Sequence, residues 1–168
     1  MRVMANILGV VAALGLLAPA MAAARDDVLK PASVRMSELG RVALANGDAL
    51  AAIDAFETAL ASDPKNVAAY TGMAMSYEKL DMPGKAVRYY REALALNPSD
   101  LGALEGQGKA LIARGATARA QINLARIKAL CKADCPAAQR LQTALSVASK
   151  AATAEARPAE AAPQTGNN

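Results

Sequence analysis

The chain has 168 residues, is 54% hydrophobic but only 3% aromatic, and carries a formal net charge of +4. It contains no histidine at all, which removes the commonest general base and the commonest metal-ligating side chain. Once the two ends are set aside, roughly 120 residues remain, enough for one domain with a modest core.

At the N-terminus Arg2 is followed by an apolar run from Ile7 to Leu17, then Pro19-Ala20-Met21-Ala22. A charged start, a short apolar stretch and an Ala-x-Ala exit are the three parts of a secretory signal. The expectation is a signal peptide over residues 1–22, cleaved after Ala22, with Ala24 as the second site. The competing reading is an uncleaved anchor, but the run falls short of the roughly 20 residues a bilayer needs. No cysteine stands near the cleavage site to carry a lipid, and no later stretch is apolar enough to cross a membrane. Residues 23–32 read as a leader into the folded part.

Helices follow in close succession, and no segment alternates with the period of a strand. The first should run from about Ser33 to Asn46 and stop at Gly47, after which Asp48 can cap the second, ending before Asp63-Pro64. Asn66 can cap the third, which reaches about Leu80, and Pro83 suits the first turn of the fourth, where its missing N–H is unpaired anyway. The fourth should end near Asn97-Pro98. Asp100 can cap the fifth, which reaches Arg114-Gly115, and Thr117 is the candidate cap of the sixth. A seventh should run from Pro136 to about Lys150 with a mixed polar face, the mark of a cap that closes a helical array. Residues 151–168 are mostly small and polar, cannot bury enough surface to offset ordering, and are expected to form a disordered tail.

One pattern recurs inside these helices. Met36-x-x-Leu39-Gly40-x-x-Ala43, then Ala52-x-x-x-Phe56, Ala59 and Pro64, is repeated 34 residues later as Tyr70-x-x-Met73-Ala74-x-x-Tyr77, Ala86-x-x-x-Tyr90, Ala93 and Pro98. A third copy is looser: Leu104-x-x-Gln107-Gly108-x-x-Leu111, then Ala120-x-x-x-Leu124, with Ile127 and Lys132 at the remaining sites. The alanines leave room for a close helix crossing, and the larger residue one turn on fills the gap beside it. The pattern resembles the tetratricopeptide repeat, a 34-residue helix–turn–helix unit. The resemblance implies an all-α, right-handed α-solenoid over residues 33–150, with repeats at about 33–66, 67–100 and 101–134 and a capping helix at 136–150.

In such arrays the first helix of each pair lines a concave groove that holds peptides or protein segments. Carried over by register, the groove residues would be Val34, Ser37, Arg41 and Leu44; then Ala68, Thr71, Met75, Glu78 and Lys79; then Gly102, Glu105, Lys109 and Ile112. Some relatives grip the carboxylate tails of heat-shock chaperones through a lysine, two asparagines and further basic residues. This chain has Ser37, Arg41, Gly72, Gly102 and Gly106 at those positions, so the clamp is missing.

The two cysteines, Cys131 and Cys135, fall between the sixth helix and Pro136. In an exported protein the expected state is a disulfide pinning the last helix to the last repeat. A redox pair more usually reads Cys-x-x-Cys on a strand–helix unit, and a metal site wants four ligands, so both stand as weaker alternatives. Gly106-Gln107-Gly108 lies within a helix, and close packing explains it better than phosphate binding. Charge is uneven. Residues 33–66 hold three basic and five acidic side chains, residues 67–100 four of each, and residues 101–150 eight basic against Glu105 and Asp134, a net of +6. Such an end could attract an anionic partner or membrane surface, although an ordinary solvated face explains it as well.

The sequence therefore points to a non-enzymatic adaptor without cofactor or metal, exported to a periplasm, that binds a protein or peptide and no nucleic acid. Assembly of an envelope machine, of pilus or secretion type, is the alternative reading, and a thiol-redox protein the third.

Overall fold

The computed structural model describes residues 28–131 and 134–155. Seven helices account for nearly all of them: α1 (Pro31–Ala45), α2 (Ala49–Ser62), α3 (Val67–Lys79), α4 (Pro83–Leu96), α5 (Leu101–Ala113), α6 (Thr117–Leu130) and α7 (Pro136–Glu155). Among the described residues there is no strand. Helices α1/α2, α3/α4 and α5/α6 form three hairpins, each second helix packs on the next first helix, and α1, α3 and α5 touch in succession along one side. The result is an all-α solenoid of helical hairpins closed by α7, which lies against both α5 and α6.

The caps show why the helices begin where they do. Asp48, Asn66 and Asp100 each accept a hydrogen bond from the backbone N–H three residues on, at 2.9, 3.1 and 2.9 Å. Pro83 opens α4 as expected, and Pro31 opens α1 two residues before Ser33. Thr117 is not a cap. It is the first residue of α6, and Ala116 precedes it without any side-chain cap. At the far end α7 continues five residues past Lys150 to Glu155, because Ala151, Ala152 and Ala154 are strong helix formers.

The three hairpin turns repeat one geometry. The N–H of Asp48 reaches Ala43 O, that of Met82 reaches Tyr77 O, and that of Ala116 reaches Leu111 O, at 3.0, 2.8 and 2.9 Å. Each turn needs a residue in the left-handed region just before that donor. Gly47 (φ 84°) and Gly115 (φ 72°) fill it without strain, and Asp81 (φ 51°) fills it at some cost.

The repeated small residues are where the helices cross. Ala52, Ala86 and Ala120 are fully buried, and Phe56, Tyr90 and Leu124 are buried beside them. Glycines on the first helices receive these larger groups. A Cβ on Gly40 would stand 2.7 Å from Phe56 Cε1, and one on Gly72 2.6 Å from Phe56 Cε2. A Cβ on Gly106 would stand 2.7 Å from Tyr90 Cε1, and one on Gly108 2.7 Å from Leu141 Cδ1 of α7. A Cβ at these separations would force the facing side chain to move, which supports the packing reading of Gly106 and Gly108.

Helix α7 sits where the first helix of a fourth hairpin would. Leu141 and Leu145 stand 34 residues after Gln107 and Leu111, and both are buried. At the other end α1 has no described helix before it. Its signature residue Leu39 is 56% exposed, whereas Met73 at the same place in the next hairpin is fully buried.

Cys131 and Cys135 are joined by a disulfide, with Cα atoms 5.9 Å apart, and both pack against the core beneath α7. The expected signal peptide (residues 1–22), most of the leader (23–27) and the tail from residue 156 onward lie outside the described residues. No described helix is long and apolar enough to cross a membrane.

Candidate functional site

The surface shared by α1, α3 and α5 is a shallow groove with a depression of about 540 Å³ between α1 and α3. Val34, Ser37, Arg41 and Leu44 line it from α1, and Ala68, Thr71, Gly72 and Met75 from α3. Its floor is the ring of Phe56, which enters from α2 through the gap left by Gly40 and Gly72. The leader contributes Leu29 at one end, and Asp100 at the start of α5 stands at its edge. A second depression of about 460 Å³ adjoins it, lined by Arg41, Leu44, Ala45, Met75, Glu78 and Lys79. A smaller one continues between α3 and α5 past Glu78, Asp81 and Lys109.

A buried polar cluster that register alone did not reveal holds the α1 wall. The Asn66 amide donates to Ser33 Oγ and Ser37 Oγ, both at 2.8 Å, while its oxygen caps α3. Ser33 Oγ in turn donates to Ala59 O at 2.8 Å. Asp63 accepts the backbone N–H groups of Lys30 and Lys65, both at 3.0 Å, and these bonds hold its carboxyl below the ordinary range. The Ser33/Asn66 pairing is legible in retrospect, since Asn66 stands 33 residues after Ser33, where adjacent first helices meet. Thr71 is the exception. Its Oγ1 is buried at the groove wall with no hydrogen-bond partner.

The charged groups fall into three sets. On α1, Arg41 Nε donates to Glu38 Oε2 at 2.9 Å on an exposed surface, which lowers the Glu38 pKa and raises that of Arg41. On α5, burial alone would raise the Glu105 pKa. Hydrogen bonds from Arg140 and Lys109 outweigh that and hold it below the ordinary range. The Arg140 contact is two-pronged, Nε to Oε1 at 2.8 Å and Nη2 to Oε2 at 2.6 Å, and ties α7 to α5. On α3, half-buried Glu78 accepts the Tyr90 hydroxyl at 3.0 Å and makes no ion pair among the described residues. Burial raises the Glu78 pKa, and burial together with the nearby Glu78 carboxylate pushes Tyr90 well above the usual phenol range.

Of the residues placed in the groove by register, Val34, Ser37, Arg41, Leu44, Ala68, Thr71, Met75, Glu78, Lys79 and Lys109 line one or more of the three depressions, and Gly102 lines none. Glu105 lies on the same helix face, but its carboxylate is taken up by Lys109 and Arg140. Ile112 is partly buried against the core and lines none of the three depressions. The C-terminal basic excess is partly spent inside the fold, since Arg126 donates to Pro98 O and Lys128 to Gln142 Oε1 as well. A buried amide pair was not foreseen: Asn123 donates to Gln107 Oε1 at 2.9 Å and to Leu104 O at 3.2 Å. It explains why the third copy tolerates glutamine where the first two have Leu39 and Met73.

Four of the five positions that would form a carboxylate clamp are otherwise engaged, and the fifth, Gly102, has no side chain to offer. Ser37 is held by Asn66 and Arg41 by Glu38, while Gly72 and Gly106 have no room for a side chain beneath Phe56 and Tyr90.

Comparison with known proteins agrees with this architecture. Residues 36–66 and 67–100 each match a tetratricopeptide-repeat family model. The Sgt2 TPR domain from Aspergillus fumigatus is similar at TM-score 0.68 and 22% identity, covering 82% of this chain and 93% of that one. The first TPR of Spaghetti (RPAP3) bound to the HSP90 peptide SRMEEVD is similar at TM-score 0.66 and 24% identity, covering 73% and 99%. The second TPR domain of human RPAP3, in complex with the HSP70 peptide SGPTIEEVD, is similar at TM-score 0.63 and 20% identity, covering 70% and 94%. At these identities the likeness speaks for the fold. No curated protein sequence matches the chain. The chain carries tetratricopeptide repeats, and they build an α-solenoid with a C-terminal closing helix.

Proposed function

We propose that this protein is a non-enzymatic adaptor that holds an extended peptide or protein segment in the groove of α1, α3 and α5. The observation that carries this reading is the depression of about 540 Å³ over Phe56, lined by apolar side chains and bordered by charged ones. Apolar walls with a few fixed polar groups suit recognition of a side chain presented by a partner. Two solved relatives of the fold hold heat-shock-protein peptides, which supports a peptide ligand here without naming it.

The signal-like residues 1–22 support export, and a disulfide between Cys131 and Cys135 suits an oxidising compartment. The adaptor would then act in the cell envelope, with assembly of an envelope machine as one such use. Fusing residues 1–30 to a reporter active only outside the cytosol tests this: an inactive fusion would contradict export, and an envelope-fraction protein retaining Met1 would contradict cleavage of the signal. For the groove, Met75→Glu should abolish partner capture, while Ile122→Glu on the exposed face of α6 should leave it intact. Equal loss from both would contradict the groove reading.

A further inference from the structure

The geometry points to a groove selective for an extended segment that carries a bulky apolar side chain and, about three residues away, an arginine or lysine: the apolar group seats over Phe56 and the cation pairs with Glu78. This rests on the peptide-groove reading above and specifies its ligand.

The argument begins with the ionic inventory of the groove wall. Glu38 is matched by Arg41, and Glu105 by Lys109 and Arg140. Four charged groups at the depressions make no ion pair among the described residues: Asp100, which is spent capping α5, Asp81, which sits in the turn beyond α3, and Glu78 and Lys79, which line the second depression and whose surroundings differ. Lys79 is exposed, so water already satisfies it and a partner's carboxylate would gain little there. Glu78 is half-buried, with Tyr90 as its hydrogen-bond partner. A carboxylate already stripped of part of its water and holding one donor interacts far more strongly with an arriving cation. Among the described residues Lys109 is the one cation facing it across the α3–α5 depression, and that ammonium is held on Glu105, so burial still raises the Glu78 pKa.

Position supports the same pairing. Glu78 lines the depression next to the one over Phe56, and Met75 borders both, so the two sites form one track along α3. Thr71, at the wall of the apolar depression, lies seven residues before Glu78, about 10 Å along a helix axis at 1.5 Å per residue. An extended chain covers that in about three residues. The orphaned Thr71 hydroxyl is a further donor and acceptor that a bound backbone carbonyl or amide could meet after one rotamer change. The preference runs opposite to the acidic tails SRMEEVD and SGPTIEEVD held by two solved relatives of the fold.

The test uses acetylated, amidated, fluorescein-labelled nonapeptides with one leucine and, three residues away on either side, arginine, glutamine or glutamate. Binding to the full mature chain is read by fluorescence anisotropy. The arginine peptides should bind at least about tenfold more tightly than the glutamate ones. Glu78→Gln, which can still accept from Tyr90, should reduce that preference to threefold or less. Lys79→Gln should tighten arginine peptides slightly. If glutamate peptides bind as well as arginine ones, or Glu78→Gln leaves the preference intact, the charge selectivity is wrong and the groove reading stands. If the peptides of all three charges fail to bind, both fall. A far-ultraviolet circular dichroism spectrum of Glu78→Gln matching wild type, with a cooperative melt no lower than wild type's, establishes that the comparison is between folded proteins.

Discussion

The Tyr90 hydroxyl donates to Glu78 Oε2 at 3.0 Å from the place that a side chain on Gly106 would occupy. Tyr90 comes from α4, Glu78 from α3 and Gly106 from α5, so one contact ties a hairpin to itself and to the next. The ring needs Gly106 to pass, and the carboxylate gives the buried hydroxyl its partner. Gly106→Ala should therefore destabilise by about 1–3 kcal/mol, the usual cost of overpacking. Gly84→Ala is the control: its nearest neighbour is Arg114 Nε at 3.9 Å, and it should be neutral or gain about 0.5 kcal/mol. Urea denaturation of the two variants measures both, and equal shifts would contradict the packing.

The raised pKa of Glu78 makes a pH prediction whose sign is fixed. Between the ordinary glutamate value of 4.5 and the higher folded value, the folded state binds more protons than the unfolded one. This group's contribution to stability therefore falls as pH rises through that window. Glu78→Gln removes the effect, so the variant's advantage over wild type should grow from pH 4.5 upward and then level off. Asp63 and Glu105, whose pKa values are lowered, act the other way and lose their stabilisation as pH falls. Denaturation midpoints of both proteins from pH 4 to 8 would show this, and a constant gap would contradict it.

Asp81 occupies the left-handed turn position that Gly47 and Gly115 fill in the other hairpins. Asp81→Gly should stabilise by about 0.5–1 kcal/mol, the relief of a non-glycine residue at positive φ less the entropy cost of glycine. A fall in melting temperature would show that the Asp81 side chain does something the backbone argument omits.

Much of this was legible because the 34-residue period is written in small residues. Ala52, Ala86 and Ala120 announce the crossings, and Asp48, Asn66 and Asp100 announce the helix starts. The losses came where side chains answer one another across elements. Glu105 sits at a groove register, but Arg140 reaches it from a helix 35 residues away. Gln107 looks like a flaw in the third repeat until Asn123 is found opposite it. Thr117 has the chemistry of a cap but lies one residue inside the helix. Periodicity reports which face a residue occupies and is silent about which partner neutralises it.

The disulfide and the Arg140–Glu105 pair both hold α7 on the last hairpin. Replacing Cys131 and Cys135 with serine should cost at most about 2 kcal/mol, because so short a loop constrains the unfolded chain little. Hydrogen exchange should quicken in α7 and the end of α6 while α1 to α4 stay protected. Adding Arg140→Ala should extend the same loosening. Uniform loss of protection would mean that α7 is required by the whole solenoid. If the serine variant keeps its stability but loses a reductase or isomerase activity, the pair is functional.

The central claim is that a partner segment lies in the groove of α1, α3 and α5, and site-specific photocrosslinking tests it most directly. A photoreactive residue at Thr71 or Met75, in the groove wall, is compared with one at Ile122, exposed on α6. In cells producing each variant, the groove positions should yield a discrete adduct that mass spectrometry maps to one peptide segment, and Ile122 should yield none. Adducts from Ile122 alone, or equally from all three positions, would contradict the account.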